Sequence, residues 1–138
     1  MSDGGTNRKI LLVSHGKIAE AMAYAATLIM GSTDAVESLC LEENESLESF
    51  IARIEEKTSE KREYIVLADL MSGTPFNAAF VVKQKKDHFE IIVGFNLTVL
   101  LSLINDMDAS FDQAIENAVS LGKEMIFQIR PENMPELD

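Results

Sequence analysis

Residues 9–17 read KILLVSHGK, and the reading of that stretch decides the fold. Residues 9–14 do not alternate between apolar and polar side chains, so they read as a strand buried on both faces, the kind that lies inside a parallel sheet. The strand runs directly into His15 and Gly16. From Lys17 to Met30 the apolar residues Ile18, Met22, Ala25, Ala26 and Ile29 recur at helical spacing, and Gly31 follows as a stop. A buried strand, a tight turn and a helix begin a βαβ pattern, with the histidine in the turn.

Working outward, the pattern repeats. VESLCL (36–41) alternates as a second strand, and Asn44 stands where it can cap a helix whose inward face is Leu47, Phe50, Ile51 and Ile54. EYIVLADL (63–70) is a third strand with Asp69 at its carboxyl end. Thr74 reads as an N-cap before Pro75, and PFNAAFVVKQ continues as a helix. FEIIVG (89–94) is a fourth strand, followed by a helix carrying Leu97, Leu100, Leu101 and Ile104. Ser110 caps a last helix with Phe111, Ala114, Ile115 and Ala118 inward, and MIFQI (125–129) closes as a fifth strand. Strands alternating with helices predict an α/β, doubly wound three-layer sandwich around a parallel sheet.

Length and composition set the bounds. One domain is the expectation for 138 residues, with 46% apolar and 25% charged residues, seven Gly and three Pro. Residues 1–7 and 131–138 read as its solvated, flexible ends. Twelve basic against twenty-three acidic residues give a net charge of −11, a field that repels nucleic acid and anionic lipid and leaves basic proteins or small molecules as partners. The single Cys40 excludes an internal disulfide and reads as core. The polar opening MSDGGTNRK and the lack of any apolar run of membrane-spanning length place the expected compartment in the cytoplasm.

Ligands of doubly wound sheets bind beyond the carboxyl ends of the strands. His15 and Asp69 both fall there, and they share one rim if their strands are neighbours, as in the order 2-1-3-4. A carboxylate bonded to one imidazole nitrogen fixes the tautomer and offsets positive charge on the ring, leaving the other nitrogen as a nucleophile. The segment DLMSGTPFN (69–77) adds the hydroxyls of Ser72 and Thr74, the flexible Gly73 and a helix start whose N–H groups favour an anion. Gly16 lets a phosphate approach the backbone. No metal or cofactor is called for, and no ligand cluster is visible. His88, within KKDHFE, reads as solvated.

In combination, VSHGKIAEAM, DLMSGTPFNAA, VGFNLTVLLSLI and SFDQAIENAVSLGKE resemble the enzyme IIA domain of the mannose class of the bacterial sugar phosphotransferase system, over roughly residues 8–130. The resemblance implies a phosphoryl relay. His15 would accept a phosphoryl group from the histidine phosphocarrier protein and pass it to a IIB component, which phosphorylates sugar during uptake through membrane IIC and IID components. His15 matches the family's phosphorylated histidine and Asp69 its hydrogen-bonding aspartate; Ser72, Gly73, Thr74 and Gly16 would hold the phosphoryl group. The resemblance further implies a homodimer with an antiparallel C-terminal strand exchanged between subunits, here MIFQI. Ser72 replaces a usual glycine, which strains the loop if that position needs positive φ. Leu97-Thr98-Val99 stand for the common Leu-Pro-Met. Two related roles stay open: a IIA-like carrier serving dihydroxyacetone kinase, and a regulatory IIA homologue outside transport. A response-regulator receiver does not fit, because Ser14-His15 stand where its acidic residues belong and Gln128-Ile129-Arg130 where its lysine does.

Overall fold

The computed structural model describes residues 7–137. Its elements are β1 (Arg8–His15), α1 (Ile18–Met30), β2 (Val36–Leu41), α2 (Leu47–Lys57), β3 (Glu63–Ala68), α3 (Thr74–Lys83), β4 (Phe89–Val93), α4 (Leu97–Asn105) and α5 (Phe111–Glu124), followed by a 3-10 turn at Pro131–Asn133. The four strands form one parallel sheet of order β2-β1-β3-β4. β1 and β3 are therefore neighbours, as the proposed meeting of His15 and Asp69 requires.

The unbroken apolar character of β1 has a direct structural reading. Ile10 and Leu12 face one side, packed with Ala19 and Ala26 of α1, Leu100 and Leu103 of α4, and Ala114 and Ala118 of α5. Leu11 and Val13 face the other, packed with Phe50 and Ile54 of α2 and with Ala78, Ala79 and Val82 of α3. Helices thus cover both faces, and successive side chains of a strand belong to two separate cores. Ile10 and Leu12 are wholly buried, so truncating either to Ala costs about 2–5 kcal/mol. Cys40 is half-buried against the first core.

Local chemistry corrects several boundaries. β3 ends at Ala68 rather than Leu70, because Asp69 Oδ1 accepts the N–H of Leu70 and takes it out of the ladder. Gly94, at φ +78, leaves β4 one residue earlier than expected. The cap of α2 is Ser46, whose hydroxyl accepts from the Ser49 N–H, while Asn44 takes the left-handed conformation at φ +64 in the preceding turn. Thr74 is the first helical residue of α3, and Gly73 precedes it without a side-chain cap. α4 starts at Leu97 without a proline: Asn96 Oδ1 accepts from the Val99 N–H, and Asn96 Nδ2 donates to the Gly122 carbonyl. Ser110 caps α5 as expected, and His88 is exposed, with its ring edge-on to Phe111.

MIFQI makes no strand within this single chain. Met125 ends the last helix, and Ile126, Phe127 and Ile129 stand 71%, 51% and 55% exposed. An exchanged strand pairs only with a second chain, so its pairing lies outside what one chain displays. Of the expected flexible ends, residues 1–6 and 138 lie outside the described residues.

Candidate functional site

His15 is the last residue of β1, and Asp69 directly follows β3 on the adjacent strand. Two chain segments far apart in sequence thus meet at one rim. Asp69 Oδ2 accepts from both the backbone N–H and the ring Nδ1 of His15, each at 2.9 Å, while Oδ1 accepts from the Leu70 N–H at 3.0 Å. The carboxylate is tied at three points, and its side chain is only 10% exposed. The imidazole is 43% exposed. An ionised carboxylate can only accept, so the ring nitrogen facing it is the donor, and in a neutral ring Nε2 then keeps its lone pair.

Gly73 sets the other side of the ring. A Cβ built at this residue would stand 2.8 Å from both Cε1 and Nε2 of His15, so the missing side chain keeps open the space beside the free nitrogen. Its backbone, at φ +104 and ψ 168, lies where residues other than glycine are strained. α3 begins at the next residue, Thr74, with Pro75 in its first turn, which puts the N-terminal end of a ten-residue helix next to that space. Unsatisfied N–H groups and the positive end of the dipole at such a terminus favour an anion.

The turn after β1 is fixed by a residue that the sequence reading passed over. Ser14 is completely buried; its hydroxyl accepts from the Ala19 N–H at 2.8 Å and donates to the Gly16 carbonyl at 3.1 Å. Lys17 occupies the N-cap position of α1 but makes no cap bond, so Ser14 supplies the cap from three residues upstream. Gly16 bridges the turn at φ +56. A buried hydroxyl directly before His-Gly at the end of an apolar strand was the available signal. Its Ala19 partner could not be inferred without the turn's geometry.

The predicted residues therefore fall into two groups. His15 and Asp69 meet in direct contact, Gly73 leaves beside the ring a space that a Cβ would fill, and Gly16 is adjacent to His15 in the turn. Ser72 is exposed and Thr74 half-buried, and among the described residues neither hydroxyl bonds to His15 or Asp69. Ser72 is not in the left-handed region, where Asn44 and His88 are the non-glycine residues, so exchanging glycine for serine leaves the loop unstrained. Leu70 and Met71, 56% and 67% exposed, directly follow Asp69, and Ile18, half exposed, follows His15 by three residues. An exposed ring among exposed apolar side chains suits attack on a group presented by another macromolecule. Among the described residues no group of three or more His, Cys, Asp or Glu is placed to hold a metal ion, and no helix is long and apolar enough to cross a membrane.

Comparison with known proteins identifies the family to which the chain belongs. The EIIA-man family, described as "PTS system fructose IIA component", matches residues 9–119. The PTS system mannose-specific EIIAB component of Escherichia coli strain K12 is 30% identical over 120 residues, covering 83% of this chain and 37% of that protein. The chain thus spans little more than a third of that relative. The PTS system sorbose-specific EIIA component of Lacticaseibacillus casei is 26% identical over 119 residues, covering 84% of this chain and 86% of the relative. Among solved structures, the PTS IIA protein associated with the fucose utilization operon of Streptococcus pneumoniae superposes with a TM-score of 0.81 at 31% identity, over 90% of this chain and 94% of that one. The mannose/sorbose-specific IIA subunit of Enterococcus faecalis superposes with a TM-score of 0.79 at 25% identity, over 96% and 99%. With the matched family profile spanning most of its length, this chain belongs to the mannose-class IIA components of the sugar phosphotransferase system.

Proposed function

We propose that the chain is a phosphoryl carrier that accepts a phosphoryl group on His15 Nε2 from the histidine phosphocarrier protein and passes it to a IIB component. The observation that carries this reading is the 2.9 Å contact of His15 Nδ1 with Asp69, which leaves Nε2 as the free nitrogen in an open, half-exposed position. In the accepting step Nε2 attacks the phosphorus in line, the donor's P–N bond breaks, and the donor imidazole leaves with the electron pair. Asp69 then faces the ring that has gained positive charge. The chemistry asks mainly for positioning and for dipoles on the phosphoryl oxygens. Those dipoles come from the start of α3 and the loop of Ser72, Gly73 and Thr74, with Gly16 permitting close approach on the other side. The IIB component then phosphorylates sugar during its uptake through the membrane IIC and IID components, and the carrier itself works in the cytoplasm. Relatives named for mannose and sorbose support sugar uptake over service to dihydroxyacetone kinase.

A homodimer completes this reading. β4 is an edge strand, and a small groove of about 110 Å³ beside it is lined by Ile92, Val99 and Ile126, among others. The exposed MIFQI segment of a second copy would add to that edge as an antiparallel strand and cover the apolar groups both copies expose.

The test is labelling. With the general phosphotransferase components and labelled phosphoenolpyruvate, the wild-type chain takes up label that is lost in acid and survives alkali, whereas His15→Ala takes up none. Label on the His15→Ala chain at the native rate would refute the assignment.

A further inference from the structure

At the pole of the sheet opposite His15, where the strands begin, the loops 58–62, 84–88 and 106–110 surround a cleft of about 1040 Å³. Small-molecule sites commonly run to about 1,000 Å³, so the space is large enough for a metabolite. Carboxylates outnumber bases twenty-three to twelve over the whole chain. In the cleft the balance inverts: five cationic side chains, Arg8, Lys61, Arg62, Lys85 and Lys86, line it against three carboxylates.

Two of the five cations are committed elsewhere. Arg8, almost wholly buried, donates to Glu63 and to the carbonyls of Asp106 and Ala109, which ties β1 to the α4–α5 turn. Lys85 pairs with Glu55 at 2.9 Å. Arg62 is different: one terminal nitrogen meets Glu60 at 2.6 Å, while its Nε, among the described residues, is a buried side-chain nitrogen with no hydrogen-bond partner. Nε itself is shut off from the cleft, so what Arg62 can offer a ligand is the exposed part of its guanidinium, with its side chain 24% exposed. Neither Lys61 nor Lys86 forms an ion pair with a described residue. Phe111 supplies an aromatic wall, with the Arg8 guanidinium 5.8 Å from its centroid and the His88 ring edge-on at 6.4 Å.

We propose that this cleft binds a small phosphorylated organic molecule, with its phosphate on Lys61, Lys86 and the Arg62 guanidinium and its carbon framework against Phe111. Charge and donors on three separate side chains suit a phosphate, which can accept from all three at once. Seven residue steps of β1, roughly 23 Å, separate the cleft from His15, so the occupant leaves the rim clear. The proposal stands independently of the relay.

Two-dimensional NMR of the 15N-labelled chain, titrated separately with a hexose 6-phosphate and with AMP, tests it. The expected result is saturable amide shifts at residues 59–64, 85–88 and 109–111, quiet amides at 69–74, and weaker binding as salt rises. The more tightly bound phosphate identifies the framework as sugar or nucleoside. Affinity falls at least about tenfold in Lys61→Ala/Lys86→Ala, and falls again in Arg62→Lys, which keeps the charge and removes the planar guanidinium fork. Binding persists in His15→Ala, whose rim is altered. Equal binding of the unphosphorylated hexose, shifts centred on residues 69–74, or no saturable shift with either phosphate would overturn the proposal.

Discussion

The His15 rim and the C-terminal segment 125–129 both face solvent, but they are specified in opposite ways. At the rim, the half-exposed imidazole is held by Asp69, which is itself held by two backbone N–H groups, and Gly73 fixes the space beside Nε2. Every one of those restraints comes from the same chain. In MIFQI, Phe127 and its apolar neighbours are half or more exposed, and none of them joins the sheet. A few directional bonds suffice to define a polar site. Exposed apolar residues gain a defined place only when a further surface covers them.

Gly73→Val breaks the rim side of that contrast most severely. Its side chain enters the space 2.8 Å from Nε2, and its backbone must hold φ +104 at a cost of about 1–3 kcal/mol. Phosphorylation of His15 should fall below detection while circular dichroism shows the fold retained. Labelling near the native rate would mean that the phosphoryl group does not use that space.

Asp69→Asn comes next. The amide keeps the shape and can still accept from the His15 N–H, but it no longer enforces a proton on Nδ1 or offsets the charge of a phosphorylated ring. Labelling should slow by roughly a hundredfold or more, with only a small change in thermal stability. A slowing matched by an equally large loss of stability would make Asp69 a structural residue.

Phe127→Asp tests the other side. The residue is half exposed in the single chain, so monomer stability should hold within about 0.5 kcal/mol. Self-association should weaken by about 2 kcal/mol, as for an aromatic anchor lost from an interface, and sedimentation velocity reads it as dissociation at micromolar concentration. An unchanged sedimentation coefficient would detach MIFQI from any role in assembly.

Much of this was legible in the sequence because the underlying signals are local or periodic. Uninterrupted apolar strands separated by helical spacing predicted a sheet covered on both faces, and the rim pairing of His15 with Asp69 followed from strands 1 and 3 being neighbours. Caps and strand ends were less legible. Asn44 and Ser46 are both good cap residues, and the path of the chain out of β2 decides between them by putting Asn44 at φ +64. Thr74 is not the cap because Gly73, at φ +104, holds the N-cap position, and the helix starts one residue sooner. β3 stops at Ala68 because a side chain outcompetes the ladder for one N–H, which periodicity does not register.

The smallest expected effect separates two serines that look alike in sequence. Ser14 and Ser72 each lie near the rim, beside a glycine or one residue from it. Ser14 is wholly buried with its hydroxyl engaged twice, and Ser72 is exposed. Ser14→Ala leaves the Ala19 N–H and the Gly16 carbonyl without that hydroxyl, at a cost of about 1–2 kcal/mol. For a domain of this size that is a fall of roughly 3–8 °C in the melting temperature. Ser72→Ala should change stability by less than about 0.5 kcal/mol. Because Ser14 shapes the turn that carries His15, its loss should also slow labelling by a few-fold, and Ser14→Thr, which retains the hydroxyl, should recover most of that rate. If Ser14→Ala melts with the wild type, the first turn of α1 is held by its own packing, and the upstream cap is incidental.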